Sequence, residues 1–523
     1  MSLTKCKSSI IAAAIFCFFI GYMFVVNTAL IKKPIMNFVR GTNDFRQTTK
    51  LIATNYVSKR LKYRTVFINL NGLFARLTGR RVCNEVLLLK GNVLTFAKSS
   101  RSDQLTESIE KTVRLAEFSK SLNIPFIYVV APYKVSTSQD NIPVGAEIFA
   151  NQNADAFLKG LSAAGVNSLD LRPLLSSNSE QINKYFYRTD HHWNPDGAFV
   201  AFQNIMAKIK TDLTLKGQFD DKFTNLSLWK RHEKKNWMLG SHGKRVGTLF
   251  AGTDSLIYYT PRFLTRMSLA VPHHKKLYKG NFSAANIRKK YIESKDYFNY
   301  NAYCVYIGGD YPLVHHRNVN APNKMKVLVL KDSFVLPLQA FMSTEFSELD
   351  VVDPRHYKAS TIAEYILWTK PDLVLMVRTA SLTGTFGRNN YINDKVYYGQ
   401  KEEVLLKDYN ISLVASKANN KYKKIPVKLH AGNTYSVSFK DIVVTHGKTD
   451  GVSVALYNPQ KKKIINHEIF DIEFNKKSGK NSRWVFRIPR DESDCTLLVY
   501  SGIHRKTKNI GVDYCGIDVH LLN

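Results

Sequence analysis

Hydrophobic positions divide the chain into stretches of different period. From Ser8 to Ile31 no residue is charged, and the run IIAAAIFCFFIGYMFVVNTALI is long enough to cross a bilayer as one helix. Its exit, Asn27-Thr28-Ala29, is a poor cleavage site, so residues 8–31 are expected to form a retained signal anchor. Lys5 and Lys7 would stay inside, although Lys32 and Lys33 follow directly and weaken that orientation signal. Residues 32–100 have the pattern of a basic stem, partly helical, leading into a domain.

Beyond residue 100 helical and strand-like periods alternate. Asp103 is placed to cap a helix whose apolar stripe is Leu105, Ile109, Val113 and Ala116, with Asn123 at its end. The short apolar run IPFIYVV then suits a buried parallel strand. A second helix, the strand-like GVNSLDLRPLL, the loop YRTDHHWNPDGAF and an amphipathic helix to about Ile209 follow. The rhythm resumes at MKVLVLKDSF and runs through FSELDVVDPRHY, a helix near Ser360–Thr369 and the strand DLVLMV. Residues 101–400 therefore predict an α/β domain, a parallel sheet flanked by helices. The stretch of about 210–320 interrupts the pattern. It is basic and tyrosine-rich, and is expected to be an insertion carrying surface. Past residue 400, segments such as TYSVSFKDIVVTH, GVSVALYN, RWVFRIP and CTLLVYSG alternate between turn residues, predicting an all-β sandwich over 401–523.

Charge narrows the partners. There are 75 Lys and Arg against 42 Asp and Glu, a net charge of +33, which draws in polyanions. A signal anchor would place that surface outside the cytoplasm, so an acidic polysaccharide or the membrane is expected, and not nucleic acid. The six cysteines, at 6, 17, 83, 304, 495 and 515, contain no CxxC pair, so no metal site, redox motif or cofactor is expected. Cys495 and Cys515 share one C-terminal segment and can either pair or remain free thiols.

Two short clusters carry the chemistry. In Asp190-His191-His192-Trp193, an acid, two histidines and a tryptophan share a polar loop, and Asn194-Pro195 opens the next helix. A metal reading lacks a third ligand at fixed spacing. A structural reading has the histidines satisfied locally. A catalytic reading has His192 as a base held by Asp190. In Lys331-Asp332-Ser333-Phe334, a serine follows the strand VLVL and enters a turn, where nucleophiles sit in open α/β sheets.

The stretch YRTDHHWNPDGAF resembles the hallmark of the DHHW family, as do KVLVLKDSF, DVVDPRHY, VVAPYK and YIGGDYP. That family is similar to the alginate O-acetyltransferase proteins, which carry an SGNH-hydrolase-like domain. The likeness covers roughly residues 65 to 385. It implies Ser333 as nucleophile, His192 as base and Asp190 as its orienter, with His191 a neighbour and Trp193 packed beneath the loop. The Asp/His block precedes the serine, the order of a circularly permuted SGNH-hydrolase fold. Lys331 stands where a glycine is usual, and Arg378-Thr379-Ala380 replaces the Gly-x-Asn-Asp block. The oxyanion hole then falls to the Ser333 N–H with Arg378, Asn389 or the Gly308-Gly309 turn. Arg355 and Tyr357 are candidates for binding substrate, although Asp353 and Arg355 suit a structural ion pair equally well.

The resemblance implies a serine O-acetyltransferase acting on an extracellular or periplasmic polysaccharide from the inner or cytoplasmic membrane. A multi-span membrane acyltransferase would supply acetyl groups, by analogy. The alternatives are an O-acetylesterase with the same triad, or a non-catalytic polysaccharide-binding or assembly protein. The C-terminal β domain, with its tyrosines, Trp484 and many lysines, resembles a carbohydrate-binding module, or is a stabilising domain.

Overall fold

The computed structural model describes residues 3–42, 44–53, 61–98, 101–212, 219–382, 391, 402–414, 422–478, 482–503 and 510–522. They form two compact units, Met1–Asn84 with Gly243–Gly252, and Glu85–His242 with Thr253–Asn523. In the first, the expected anchor lies inside a longer helix α1 (Leu3–Val39) that continues past Lys32 and Lys33. Its stretch Ala13–Val39 is 27 residues long and contains 18 consecutive residues with a mean hydropathy of 2.2, long and apolar enough to cross a membrane. A helix over Arg64–Leu77 packs on the short helix Gly243–Val246 at Gly72, where any Cβ would meet the Val246 carbonyl.

The second unit is built on an eight-stranded sheet. Its strands are β1 (Phe126–Ala131), β2 (Ser168–Asp170), β3 (Met267–Val271), β4 (Lys276–Gly280), β5 (Leu313–Asn318), β6 (Asn323–Lys331), β7 (Phe346–Val352) and β8 (Leu373–Thr379). They lie in the order β2-β1-β8-β6-β7-β5-β3-β4. The first five are mutually parallel, as the buried apolar runs FIYVVA, VLVL and LVLMV require. The other three pair antiparallel. The principal flanking helices are α2 (Leu105–Ser121), α3 (Ala150–Ala163), α4 (Pro195–Asp212), α5 (Val335–Glu345) and α6 (Ile362–Thr369).

Two local expectations change. The 210–320 stretch carries more than surface, because it supplies β3, β4 and β5. Its strands are short, and two of them, β4 and β5, carry basic residues, of which Arg317 is neutralised by Asp350 at 2.7 Å. Asp103 does not cap α2; its N-cap is Gln104, without a side-chain bond. The deepest face of α2 includes Ser108, Thr112, Leu115 and Ser119, with the expected apolar stripe mostly at its border. Thr112 and Ser119 donate their hydroxyls to the Ser108 and Ile124 carbonyls, so these two are buried with their hydrogen bonds met, whereas the Ser108 hydroxyl is buried without a partner among the described residues. Asn123 does end the helix, with φ 57°.

The C-terminal part forms two four-stranded antiparallel sheets. One holds Glu402–Val414, Gly511–Leu522, Thr434–His446 and Ser482–Arg487, the other Tyr422–Lys424, Thr496–Tyr500, Gly451–Asn458 and Lys463–Asp471. Trp484 is only 4% exposed within their core, so it is not a surface platform for sugars. Cys495 and Cys515 are free thiols. Polar bonds join this layer to the α/β layer, His315 to Glu468 at 3.1 Å and Thr434 to Glu364 at 2.9 Å.

Candidate active site

Ser333 follows β6 and precedes α5, at the point where a parallel strand must turn outward. From Val327 through Pro354 it is the one residue that is not fully buried. Asp332 fixes the turn: one carboxylate oxygen accepts the Phe334 N–H at 2.9 Å, the other the Thr379 N–H of β8 at 2.8 Å.

The Asp190 loop does not end a sheet strand, as its sequence context suggested. It follows a short helix, Ser179–Tyr185, and is closed by a bridge between Phe186 and Trp193. Long-range polar groups hold it. Asp254, on the hairpin strand Asp254–Pro261, accepts the N–H groups of Arg188 and Thr189 at 2.9 and 2.8 Å. The buried ammonium of Lys134 donates to the carbonyls of Tyr187, Arg188 and Asp190. Gly240 passes so close that a Cβ there would stand 2.3 Å from the Asp190 Cβ.

The loop and the turn meet in one chain of hydrogen bonds. Asp190 Oδ1 lies 2.5 Å from His192 Nδ1, and His192 Nε2 lies 2.8 Å from Ser333 Oγ. The second Asp190 oxygen accepts the Ser241 N–H at 2.6 Å. Burial works against the Asp190 charge, but the neighbouring His192 and the hydrogen bonds from His192 and the Ser241 N–H outweigh it and hold the carboxyl well below its usual range. Burial pushes His191 down to about 3 and leaves it neutral. Its Nδ1 lies 2.7 Å from Ser241 Oγ. Asp190, His191 and His192 have the proximity of a metal cluster, with ligand atoms within 4.8 Å. Their facing atoms, however, already bond to one another and to Ser333, which suits proton transfer better.

Two aromatic residues lock the two halves. Trp193, fully buried, donates its indole N–H to the Phe334 carbonyl at 2.8 Å. Tyr303 stacks flat on His192, with ring centroids 3.8 Å apart and planes 7° apart, and its hydroxyl donates to the Ser333 and Phe334 carbonyls, both at 3.0 Å. The histidine ring therefore has little freedom to rotate out of line.

The remaining candidates lie around this core. Arg355 binds Asp353 and Asp310, and Lys331 joins the same cluster through both acids. Lys331 thus replaces the usual glycine with a buried cation that anchors the end of β6. Tyr357 bonds Ser360 at 3.2 Å and packs on Tyr365. Arg378 is fully buried and donates to Tyr391 at 3.1 Å. Gly309 lies against Tyr311. None of these four makes a described hydrogen bond to Ser333. Asn389 lies outside the described residues. Sequence reasoning missed Tyr303, Asp254, Gly240 and Ser241, which stand far along the chain in the segment that had no legible pattern. Only the position of Tyr303 just before YIGGDYP gave a signal.

Residues 91–236 match the family model of the SGNH hydrolase-like domain of acetyltransferase AlgX, and residues 166–352 match that of the DHHW protein. The chain thus resembles both, and the α/β layer is SGNH-hydrolase-like. Among solved structures, Bacillus cereus PatB1 is 26% identical over 57% of this chain and 96% of its own, with a TM-score of 0.49. A DHHW family protein from Eubacterium siraeum is 18% identical over 58% and 93%, with a TM-score of 0.44. Pseudomonas aeruginosa AlgX is 13% identical over 84% and 94%, with a TM-score of 0.37. No curated protein matches the chain in sequence.

Proposed function

We propose that the protein is a serine O-acetyltransferase that acetylates a polysaccharide outside the cytoplasm, held to the inner or cytoplasmic membrane by α1. The observation that carries this reading is the unbroken chain from Asp190 through His192 to a partly exposed Ser333. The match to the AlgX-type acetyltransferase domain supports the choice of acyl group.

In this mechanism Ser333 Oγ attacks the acetyl carbonyl while His192 Nε2 takes its proton, and the charge of Asp190 supports the resulting imidazolium. The carbonyl oxygen gains negative charge next to the Ser333 N–H, ahead of α5, where the helix dipole favours an anion. Collapse of the tetrahedral intermediate expels the donor's leaving group, which takes the proton from His192, and acetyl-Ser333 remains. A sugar hydroxyl then gives its proton to His192, attacks the acetyl carbonyl and leaves as the O-acetyl ester. Ser333 recovers its proton from His192. A multi-span membrane acyltransferase is the proposed source of acetyl groups, since the one apolar span among the described residues offers no route for them across the bilayer.

The test uses the full chain in detergent with an activated acetyl ester and an oligosaccharide acceptor. Mass spectrometry follows the acceptor and Ser333, and free acetate is assayed in parallel. The expected result is acetyl-Ser333 followed by acetylated acceptor, both lost in Ser333→Ala. Release of acetate with no transfer to any acceptor would make the protein an esterase. A chain with no Ser333-dependent acetyl chemistry would be a binding or assembly protein.

A further inference from the structure

A cleft of about 760 Å³ opens on the antiparallel side of the central sheet, between β4, the segment after it and the hairpin Trp229–Met238/Asp254–Pro261. Its aromatic lining is Tyr258, with His232 stacked on one face at 4.6 Å, Tyr278 and Tyr311. Its charged lining is Lys276, Arg288, Lys289 and Lys290, and no carboxylate lines it among the described residues.

Arg288 is the unusual member. It is only 8% exposed, yet among the described residues no carboxylate lies within ion-pair distance. Its guanidinium lies 3.4 Å from the centroid of the Tyr278 ring and donates to the carbonyls of Ile307 and Ala285, each at 2.9 Å. A buried cation normally has an anion beside it, because taking a charge out of water is expensive. Burial accordingly lowers the Arg288 pKa. Lys289 and Lys290 stand exposed at the rim and add charge of the same sign. A planar guanidinium beside tyrosine faces suits a ligand with carboxylates on flat, ring-shaped units.

The cleft is tied to the candidate active site by one short segment. Gly308 lines the cleft, and Arg288 holds the Ile307 carbonyl. Five residues before Gly308, Tyr303 holds the Ser333 and Phe334 carbonyls, and two residues after it, Asp310 pairs with Lys331.

We infer that this cleft binds an acidic glycan, with sugar faces on Tyr258 and Tyr311, a carboxylate on Arg288 and the lysines along the chain. That the ligand is a glycan rests on the proposed function; the sign of its charge rests on the lining alone. The experiment titrates the full-length Ser333→Ala protein calorimetrically with an oligouronate and with a neutral gluco-oligosaccharide of equal length. The oligouronate should bind at least about tenfold more tightly than the neutral chain, and added salt should weaken it. Lys289→Glu with Lys290→Glu, both exposed, should weaken oligouronate binding by roughly tenfold or more. Arg288→Met should abolish it, read only where circular dichroism shows the fold retained. Equal binding of the neutral chain, or oligouronate affinity unchanged in the double lysine variant, overturns the inference. Acylation of Ser333 in the unmodified protein is measured separately. Its failure removes the proposed chemistry and leaves the cleft standing; acylation without charge-dependent binding removes the cleft alone.

Discussion

Gly240→Ala adds one methyl group against the backbone of Asp190, the acid of the proposed triad. Its Cβ would stand 2.3 Å from the Asp190 Cβ and 2.5 Å from the Asp190 Cα and N. Ordinary carbon contacts begin near roughly 3.5 Å, so the Asp190 loop must retreat by about 1 Å. The backbone on both sides leaves it no flexible side chain to move instead. The 2.8 Å bond between His192 and Ser333 then opens beyond hydrogen-bonding range. A misplacement of that size costs about a hundredfold in rate, or ~2.7 kcal/mol of barrier. Overpacking also costs stability, about 1–3 kcal/mol. Against a domain stability of about 5–15 kcal/mol, even the upper figure leaves roughly nineteen molecules in twenty folded. Unfolding therefore cannot account for a hundredfold loss, and displacement of the loop can. The assay is single-turnover acetylation of Ser333 by an activated ester, with thermal denaturation of both proteins alongside. A folded variant that acetylates within about threefold of the unmodified rate would refute the reasoning that this contact sets the triad geometry.

Asp190→Asn should lower acylation about 10³–10⁴-fold, because the amide no longer fixes the His192 tautomer or supports its charge. Steady-state turnover with unchanged circular dichroism checks it. Tyr303→Phe keeps the ring on His192 but removes the donor to two carbonyls, which costs about 1 kcal/mol. Turnover should fall by no more than about tenfold, while Tyr303→Ala, which loses the stack as well, should fall further. His315 is partly buried between Asp350 and Glu468. Desolvation opposes its charge, but the two carboxylates win and raise its pKa from 6.5 to about 9. The folded state therefore binds the extra proton between those values, so this stabilisation is complete below pH 6.5 and lost as pH rises through 9, up to about 3 kcal/mol in all. Denaturation across that range should show the fall, and His315→Gln should flatten it.

The sequence by itself determined the outline. An uncharged run of helical length can do little but form a long apolar helix, and doubly buried parallel strands such as FIYVVA and LVLMV must be continuous in apolar residues. The alternation past residue 400 likewise follows from antiparallel strands with exposed positions between buried ones, as in Thr434–His446, although Gly451–Asn458 is buried nearly throughout. Asp190, His192 and Ser333 could be proposed as a site because the DHHW resemblance singled them out. The local setting alone, a polar loop before a proline-opened helix and a serine closing an apolar strand, is weak, since Asp-Ser is common in turns.

Tertiary structure alone decided the rest. Whether Asp190 and Ser333 meet depends on a crossing of 141 residues between His192 and Ser333, and no local pattern encodes it. Tyr303, Asp254 and Gly240 matter because of what they touch: a stacked ring, two N–H groups and a backbone with no room for a methyl. The strand Leu313–Asn318 was hidden for the same reason, since the Arg317 charge that looks solvent-exposed in sequence is neutralised by Glu348 and Asp350 on a neighbouring strand. Asp103 and Trp484 show the converse error: a capping residue type can go unused, and an aromatic that suits a sugar platform can serve a core. Periodicity reports which face of an element is apolar. It carries no information about which distant polar group that face, or its edge, will meet.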